Sequence, residues 1–550
     1  MPASANGNPG PPPDDLPSRS AAWAVGAAFL ALLMAAIGRV VSAARGLWHP
    51  LSLADDAYYY IVIAKHVVRG AGFSFDGFEP TNGFHPLWMA VTVAVLWLVG
   101  VESSLRLQVA VYTVVAMLPL LIGAAICARE VLRPRGAGDT RALAFLGVLL
   151  ALGLPETAYV CMAGVESGLL VCLLILLLRS YLLEQSGGLA VLFPLVFLTR
   201  LDAPLWLAPL LLHEAVRVRN GRRIAVLLLP LAVSMAGLGA FNVITTGGVL
   251  PIHALLTSTF PVPSPKWHLI TERLAQGPRA FTYANLCSLL AAAGVVSGLW
   301  VRARRRSRAE GEVWVLVLIA AGAVSLLLLL FFRKWMEQPA IWHFTPGVIF
   351  LSAAAAPLVL RTLGRHGRAL PGLAVAAVSV LALGISARNL STCITTSTET
   401  MQSFIRARRS AMPLPGRVAA TDCGYYAFWW DREIVNLDGL TNNREYQRAV
   451  RDGRLGEYLD RAGVVYIVAS ASAGPDGPDK EPMYRTAGEN AQMVRATGDY
   501  TYSYFTYSYQ YNTYSNTLAF HKSDEVFRQF FPELPALALV FRWPRQDHRD

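Results

Sequence analysis

From Ala21 to Val41 the chain is almost continuously apolar. Comparable runs recur near 86–100, 104–127, 141–155, 167–184, 189–199, 203–215, 222–245, 283–301, 312–332, 341–360 and 370–388. A helix needs ~20 apolar residues to cross the hydrocarbon of a bilayer, so the longer runs predict spans and several others fall short. The short ones predict half-helices buried in protein, because backbone polar groups cannot stand unmatched in lipid. Nothing before the first run has the cationic start of a cleavable signal, so that run reads as an anchor. Residues 1–20, rich in Pro, Gly, Ala and Ser, predict a disordered tail.

The basic loops set the orientation. Arg129 to Arg135, Arg217 to Arg223, Arg302 to Arg308 and Arg361 to Arg368 belong on the cytoplasmic side. Segments 44–85, 156–166, 199–202, 246–282, 333–340 and everything from 391 then face outward. Parity holds if 86–100 is an outer-face helix that feeds the span at 104–127, which gives about eleven spans. The predicted architecture is a polytopic α-helical membrane domain over 21–390 and an extracytoplasmic domain over 391–550. In that tail, 417–420 and 464–470 have strand character, while Tyr446 to Ala462 is spaced as a helix ending at Gly463. Alternating strand and helix predicts a small α/β domain. Residues 497–516 alternate Tyr with small polar residues, the pattern of a structural hairpin or of a sugar-contacting face.

Composition agrees with a membrane protein. Of 550 residues, 54% are hydrophobic and only 15% charged, against roughly a quarter charged in soluble proteins. The net charge of +11 sits wholly among the apolar segments: residues 391–550 hold 18 Lys and Arg against 19 Asp and Glu. Such a distribution reflects basic cytoplasmic loops and excludes a nucleic-acid partner. Cys127, Cys161, Cys172 and Cys287 lie in or beside apolar runs; Cys393 and Cys423 fall in the tail, where an oxidising compartment would permit a disulfide. No Cys or His spacing suggests zinc.

The chemistry gathers in the predicted outer segments. Leu53-Ala-Asp-Asp-Ala-Tyr-Tyr-Tyr reads as the start of a surface amphipathic helix, with Asp55 and Asp56 at its N-terminus. The helix dipole favours carboxylates there, and one of them would suffice as a cap. Two adjacent carboxylates repel, and a pair facing a cavity suits a general base with a helper, or a cation site. Glu166 opens the run at 167, and Arg200 and Asp202 interrupt the apolar stretch near 199. Charges at membrane depth are costly and usually functional, although Glu166 could assist a helix start and Arg200 could pair with Asp202. Outer loops add His253, Lys266, His268, Arg333, Lys334 and His343, cations suited to a lipid phosphate or pyrophosphate leaving group.

An anchor helix, an Asp-Asp outer loop and Thr81-Asn-Gly-Phe-His-Pro-Leu-Trp88 together resemble the GT-C superfamily of integral membrane glycosyltransferases. Gly164-Val-Glu-Ser167, Thr199-Arg-Leu-Asp202 and Phe241 to Pro251 extend the likeness, as do Val435 to Asn442 and Glu457 to Tyr466 in the tail. The resemblance implies transfer of a sugar from a polyprenyl-phosphate donor to a polysaccharide, glycolipid or protein acceptor at the outer face of the plasma (inner) membrane, with a periplasmic tail. It implies Asp55 or Asp56 as the base. Tyr59, Asn82, His85, Glu166, Arg200, Asp202, His253, Arg333, Lys334 and His343 would contact substrate. A divalent cation held by Asp55, Asp56 and Glu166 is left open, and no nucleotide is required. The rival readings are a transporter or flippase of a lipid-linked sugar, a non-catalytic sugar-binding subunit, and a membrane transferase of another group.

Overall fold

The computed structural model describes residues 16–45, 53–133, 139–265, 313–332, 341–366, 369–395, 415–421, 423–430, 432–472, 483–485, 491–496, 499–506, 514–521, 525–531 and 536–542. In chain order the helices are α1 (Leu16–Arg45), α2 (Asp55–Val68), α3 (Pro86–Val99), α4 (Leu105–Leu132), α5 (Thr140–Gly153) and α6 (Pro155–Cys161). Next come α7 (Ser167–Leu182), α8 (Ser186–Thr199), α9 (Ala203–Val218), α10 (Gly221–Thr246) and α11 (Ile252–Thr257). After α12 (Val313–Phe332), a 3-10 turn (Ile341–Phe344) leads into α13 (Thr345–His366) and α14 (Leu370–Thr395).

Among the described residues six helices are long and apolar enough to cross a membrane: α1, α4, α10, α12, α13 and α14. Shorter apolar helices (α3, α5, α7 and α8) accompany them. The helices of this polytopic membrane protein follow the apolar runs to within a few residues, except that α1 begins at Leu16, inside the predicted tail, and that α13 and α14 extend to His366 and Thr395, past the predicted ends at 360 and 388. The predicted run at 283–301 lies outside the described residues. α1 packs along α14 and α4, and α13 packs on α5 and α12, around a core that includes Leu32, Leu120, Leu149, Leu174 and Phe350.

Helix direction sorts the loops onto two ends. α5 and α6 lead to Glu166, α8 ends at Arg200, and α10 ends at Thr246, so these turns share one end of the bundle. The basic stretches after α4 and α9 fall at the other end.

The tail builds β1 (Arg417–Ala420), α15 (Gly424–Trp430), β2 (Ile434–Asn436), α16 (Arg444–Arg451), α17 (Leu455–Arg461) and β3 (Val464–Ser472). β1 is central and parallel to both β2 and β3, with helices in each crossover, as parallel pairing requires. The antiparallel strands are β4 (Met483–Arg485), β5 (Ala491–Ala496), β6 (Asp499–Thr506), β7 (Tyr514–His521), β8 (Glu525–Phe531) and β9 (Ala536–Arg542). The helix expected over 446–462 divides into α16 and α17 at Asp452-Gly453, where Gly453 has φ +69°. The Tyr-rich stretch does form a hairpin, with Tyr500 opposite Phe520 and Tyr502 opposite Leu518.

Tail and membrane domain share a second core. Tyr58, Ile61, Phe75, Phe84 and Trp88 pack with Val418, Phe428, Trp430, Ile434 and Tyr466. The tail is therefore seated on the α2–α3 hairpin at the end of the bundle that carries Glu166 and Arg200.

Candidate functional site

Two adjacent side chains on a helix point about 100° apart, whereas residues four apart share a face. α2 uses this to divide its acidic pair. Asp55 turns to the tail: its Oδ1 accepts the Tyr425 N–H at 2.7 Å and its Oδ2 the Gly424 N–H at 3.1 Å. Neither aspartate serves as the N-cap of α2, which is Ala54. Asp55 instead caps α15, a helix of the other domain. One turn later, the Tyr59 hydroxyl accepts from the Cys423 N–H (3.2 Å) and Asn436 Nδ2 (3.0 Å), and donates to Asp438 Oδ2 at 3.4 Å. These groups lie at the carboxyl ends of β1 and β2, the edge where parallel α/β sheets usually seat a ligand. Here that edge grips α2.

The other face of α2 carries Asp56 and Tyr60. The Tyr60 hydroxyl accepts the backbone N–H of His85 at 3.1 Å. Burial, followed by the Glu166 carboxylate and with a smaller effect from Asp56, pushes that hydroxyl well above the usual tyrosine range, so Tyr60 stays neutral. His85 Nε2 lies 3.5 Å from Glu166 Oε1, and the His85 and His253 rings are 6.1 Å apart. Arg200 ties the cluster together, with Nη1 3.3 Å from Glu166 Oε1 and Nε 3.1 Å from Asp202 Oδ1. Its Nη2 also meets His343 Nδ1. Burial raises the Glu166 carboxyl above its ordinary range, against the pull of Arg200.

Glu166, Arg200 and His343 are buried, while Asp56, His85, His253 and Asp202 keep partial exposure. The arrangement offers a fixed, buried charged network with accessible carboxylates and imidazoles beside it. Asp56, Glu166 and Asp202 outweigh Arg200, so a phosphate here needs protonated imidazoles or cations from elsewhere. Arg333 and Lys334, with Lys266 and His268, lie outside the described residues.

Local backbone chemistry explains the Gly164-Val-Glu-Ser motif. Gly164 has φ +86°, and a Cβ there would sit 2.7 Å from Leu53 Cδ2 and 2.9 Å from Ala57 Cβ. Its carbonyl accepts from Tyr112 Oη at 2.5 Å and Trp88 Nε1 at 3.1 Å. The turn is locked against α2, and Glu166 is thereby aimed at Arg200. Gly164→Ala is expected to lower stability by more than ~1 kcal/mol, read as a lower melting temperature of the purified protein.

The match to a Domain of unknown function (DUF8728) covers residues 391–514. No curated protein matches the chain. Among solved structures, ArnT from Cupriavidus metallidurans in the apo state is similar at a TM-score of 0.46 and 15% identity, covering 76% of this chain and 88% of that one.

Three expected site positions are engaged within the protein. Asp55 and Tyr59 hold the tail. Asn82, expected on substrate, is 2% exposed: its Nδ2 donates to Asn242 Oδ1 (3.1 Å) and Thr246 Oγ1 (2.9 Å), and its Oδ1 accepts the Ile252 N–H at 3.0 Å. It staples the end of α10 to the start of α11. A shared site for Asp55, Asp56 and Glu166 is undone by the same division of α2, and among the described residues no group of three metal-ligating side chains is found. The side chain of Cys393 lies outside the described residues, as does any pairing it makes with Cys423.

Two residues escaped the sequence reading. Tyr60 was masked by a run of three tyrosines whose faces only the helix phase separates. Arg39, fully buried in α1, donates to the Tyr159 carbonyl at 2.8 Å and stacks 4.8 Å from the Tyr159 ring centroid. A lone arginine within an apolar run was signal enough to single it out.

Proposed function

We propose that this protein transfers a sugar from a polyprenyl-phosphate donor to an envelope acceptor (a polysaccharide, glycolipid or protein), with Asp56 as the general base. The observation that carries this reading is the division of α2. Asp55 is spent on capping α15, and Asp56 shares a face with Tyr60 beside the His85–Glu166–Arg200 network. In the reaction Asp56 takes the proton of an acceptor hydroxyl. Its oxygen attacks the anomeric carbon, the bond from that carbon to the phosphate oxygen breaks, and polyprenyl phosphate leaves with the electron pair. Glu166 and Asp202, held by Arg200, suit sugar hydroxyls as acceptors. The half-buried imidazoles of His85 and His253 suit the departing phosphate, joined in this reading by Arg333 and Lys334.

The site end of the bundle lies opposite the basic turns after α4 and α9. With positive loops on the cytoplasmic side, it and the tail face outward across the plasma membrane. A lipid-linked donor fits that address, since its tail stays in the bilayer while its sugar reaches the boundary.

The test is release of polyprenyl phosphate by purified protein supplied with a panel of polyprenyl-phosphate pentoses and hexoses and an envelope extract as acceptor. Release from at least one donor is expected. Failure with every donor, at intact fold, removes the transferase reading.

A further inference from the structure

His85 closes the outer loop before α3, and His253 is the second residue of α11. Their rings meet edge to face, 6.1 Å between centroids and 76° between planes. Imidazoles this close can hold two oxygens of one phosphate group. The separation depends on how two segments far apart in the chain are fixed, and each has its own device. On one side, the His85 backbone N–H is held by the Tyr60 hydroxyl at 3.1 Å, and Pro86 starts α3 directly after it.

On the other side, His253 follows a loop, 247–251, with little packing of its own: Val249 and Leu250 are 63% and 54% exposed. Hydrogen bonds fix it instead. Asn82 Oδ1 accepts the Ile252 N–H at 3.0 Å, and its Nδ2 donates to Asn242 Oδ1 and Thr246 Oγ1. Asn242 Nδ2 in turn donates to the Val249 carbonyl at 2.9 Å. The tail lies over the same loop, since a Cβ at Gly248 would collide with the Arg444 guanidinium of α16. Ile252 and Leu256 are buried as well, but burial is non-directional. A bond to the first N–H of a helix is directional and fixes where the first turn begins.

Asn82 stands three residues before His85 and bonds the residue before His253. One amide thus ties the segment of one imidazole to the segment of the other. Asn82 is buried and engaged at both ends of its amide, so its influence on a reaction passes through the groups it holds. We infer that Asn82 is a positioning residue: it sets His253 against His85 so that the two imidazoles form one seat for the phosphate of a lipid-linked donor. The inference rests on the transfer reading for the identity of that phosphate.

The test follows the ring signals of isotope-labelled histidine in the full-length chain as farnesyl phosphate is added, with His85→Gln and His253→Gln assigning the two signals. In wild type both are expected to shift. In Asn82→Leu the His85 shift is expected to stay, because Tyr60 still holds that residue, and the His253 shift to be lost. Asn82→Ser, whose hydroxyl is too short to span Ile252 and Thr246, replaces it if it fails to fold. Thr246→Val removes one bond from Asn82 but leaves the one to Ile252, so both shifts should remain. In the release assay Asn82→Leu is expected to raise the donor KM about 10-fold with kcat within about 3-fold of wild type. A merely structural role would instead lower the amount of active protein at unchanged KM. Persistence of the His253 shift in the Asn82 variants, loss of both shifts together, or a fall in kcat at unchanged KM overturns the inference. So does silence of both imidazoles in wild type, even where polyprenyl phosphate is released. The expected shifts without any release leave the positioning role standing and remove the transfer reading alone.

Discussion

Asp56→Asn is expected to lower turnover of the lipid-linked sugar by ~10²–10⁴-fold, with the donor KM changed only a few-fold. The amide keeps the size and polarity of the carboxylate but cannot take the acceptor's proton. The side chain that clamps the tail is its neighbour, Asp55. Initial rates of polyprenyl-phosphate release across a range of donor concentrations give the kcat and KM separately. A rise in KM with kcat intact would make Asp56 a binding residue and take the base role away from it.

Arg200→Gln carries the second large effect, on stability as well as on rate. Arg200 is 3% exposed and faces Glu166, Asp202 and His343 at once. A buried ion pair adds little over an apolar replacement, yet removing one partner strands the other charge at a cost of about 3–5 kcal/mol. Thermal melts in a fixed detergent should show a large fall for Arg200→Gln. Adding Glu166→Gln should recover part of the stability, because the stranded carboxylate is gone, but not the activity. Additive losses in the double variant would mean that the two side chains are not coupled in the way their contact indicates.

The sequence carried the helices well because lipid imposes a length and a composition that few other constraints override. The runs at 86–100, 167–184 and 312–332 end within a few residues of helices α3, α7 and α12. The basic stretches after α4 and α9 fall at one end of the bundle, away from Glu166 and Arg200. The division of labour within Asp55-Asp56 was not readable. Both residues favour a helix N-terminus and a catalytic site equally, and what separates them is a partner some 370 positions later, the N–H groups of Gly424 and Tyr425. Asn82 misled in a similar way. A polar residue in an outer-loop motif suggested substrate, but its amide is filled by Asn242, Thr246 and Ile252, a contact that no local pattern announces. The network of Glu166, Arg200 and His343 was named residue by residue, whereas its closure into one cluster depends on how three separate turns meet.

The most direct test of the account places Asp55→Asn beside Asp56→Asn in one assay of polyprenyl-phosphate release, with limited proteolysis reporting on the seating of the tail. Asparagine keeps one acceptor oxygen for the two N–H groups that Asp55 holds, so Asp55→Asn should keep turnover within ~10-fold of wild type and most of the tail's protection. Asp56→Asn should show the same protection and almost no turnover. Full activity in Asp56→Asn, or a dead and well-seated Asp55→Asn, would contradict the assignment of one aspartate to the tail and the other to the chemistry.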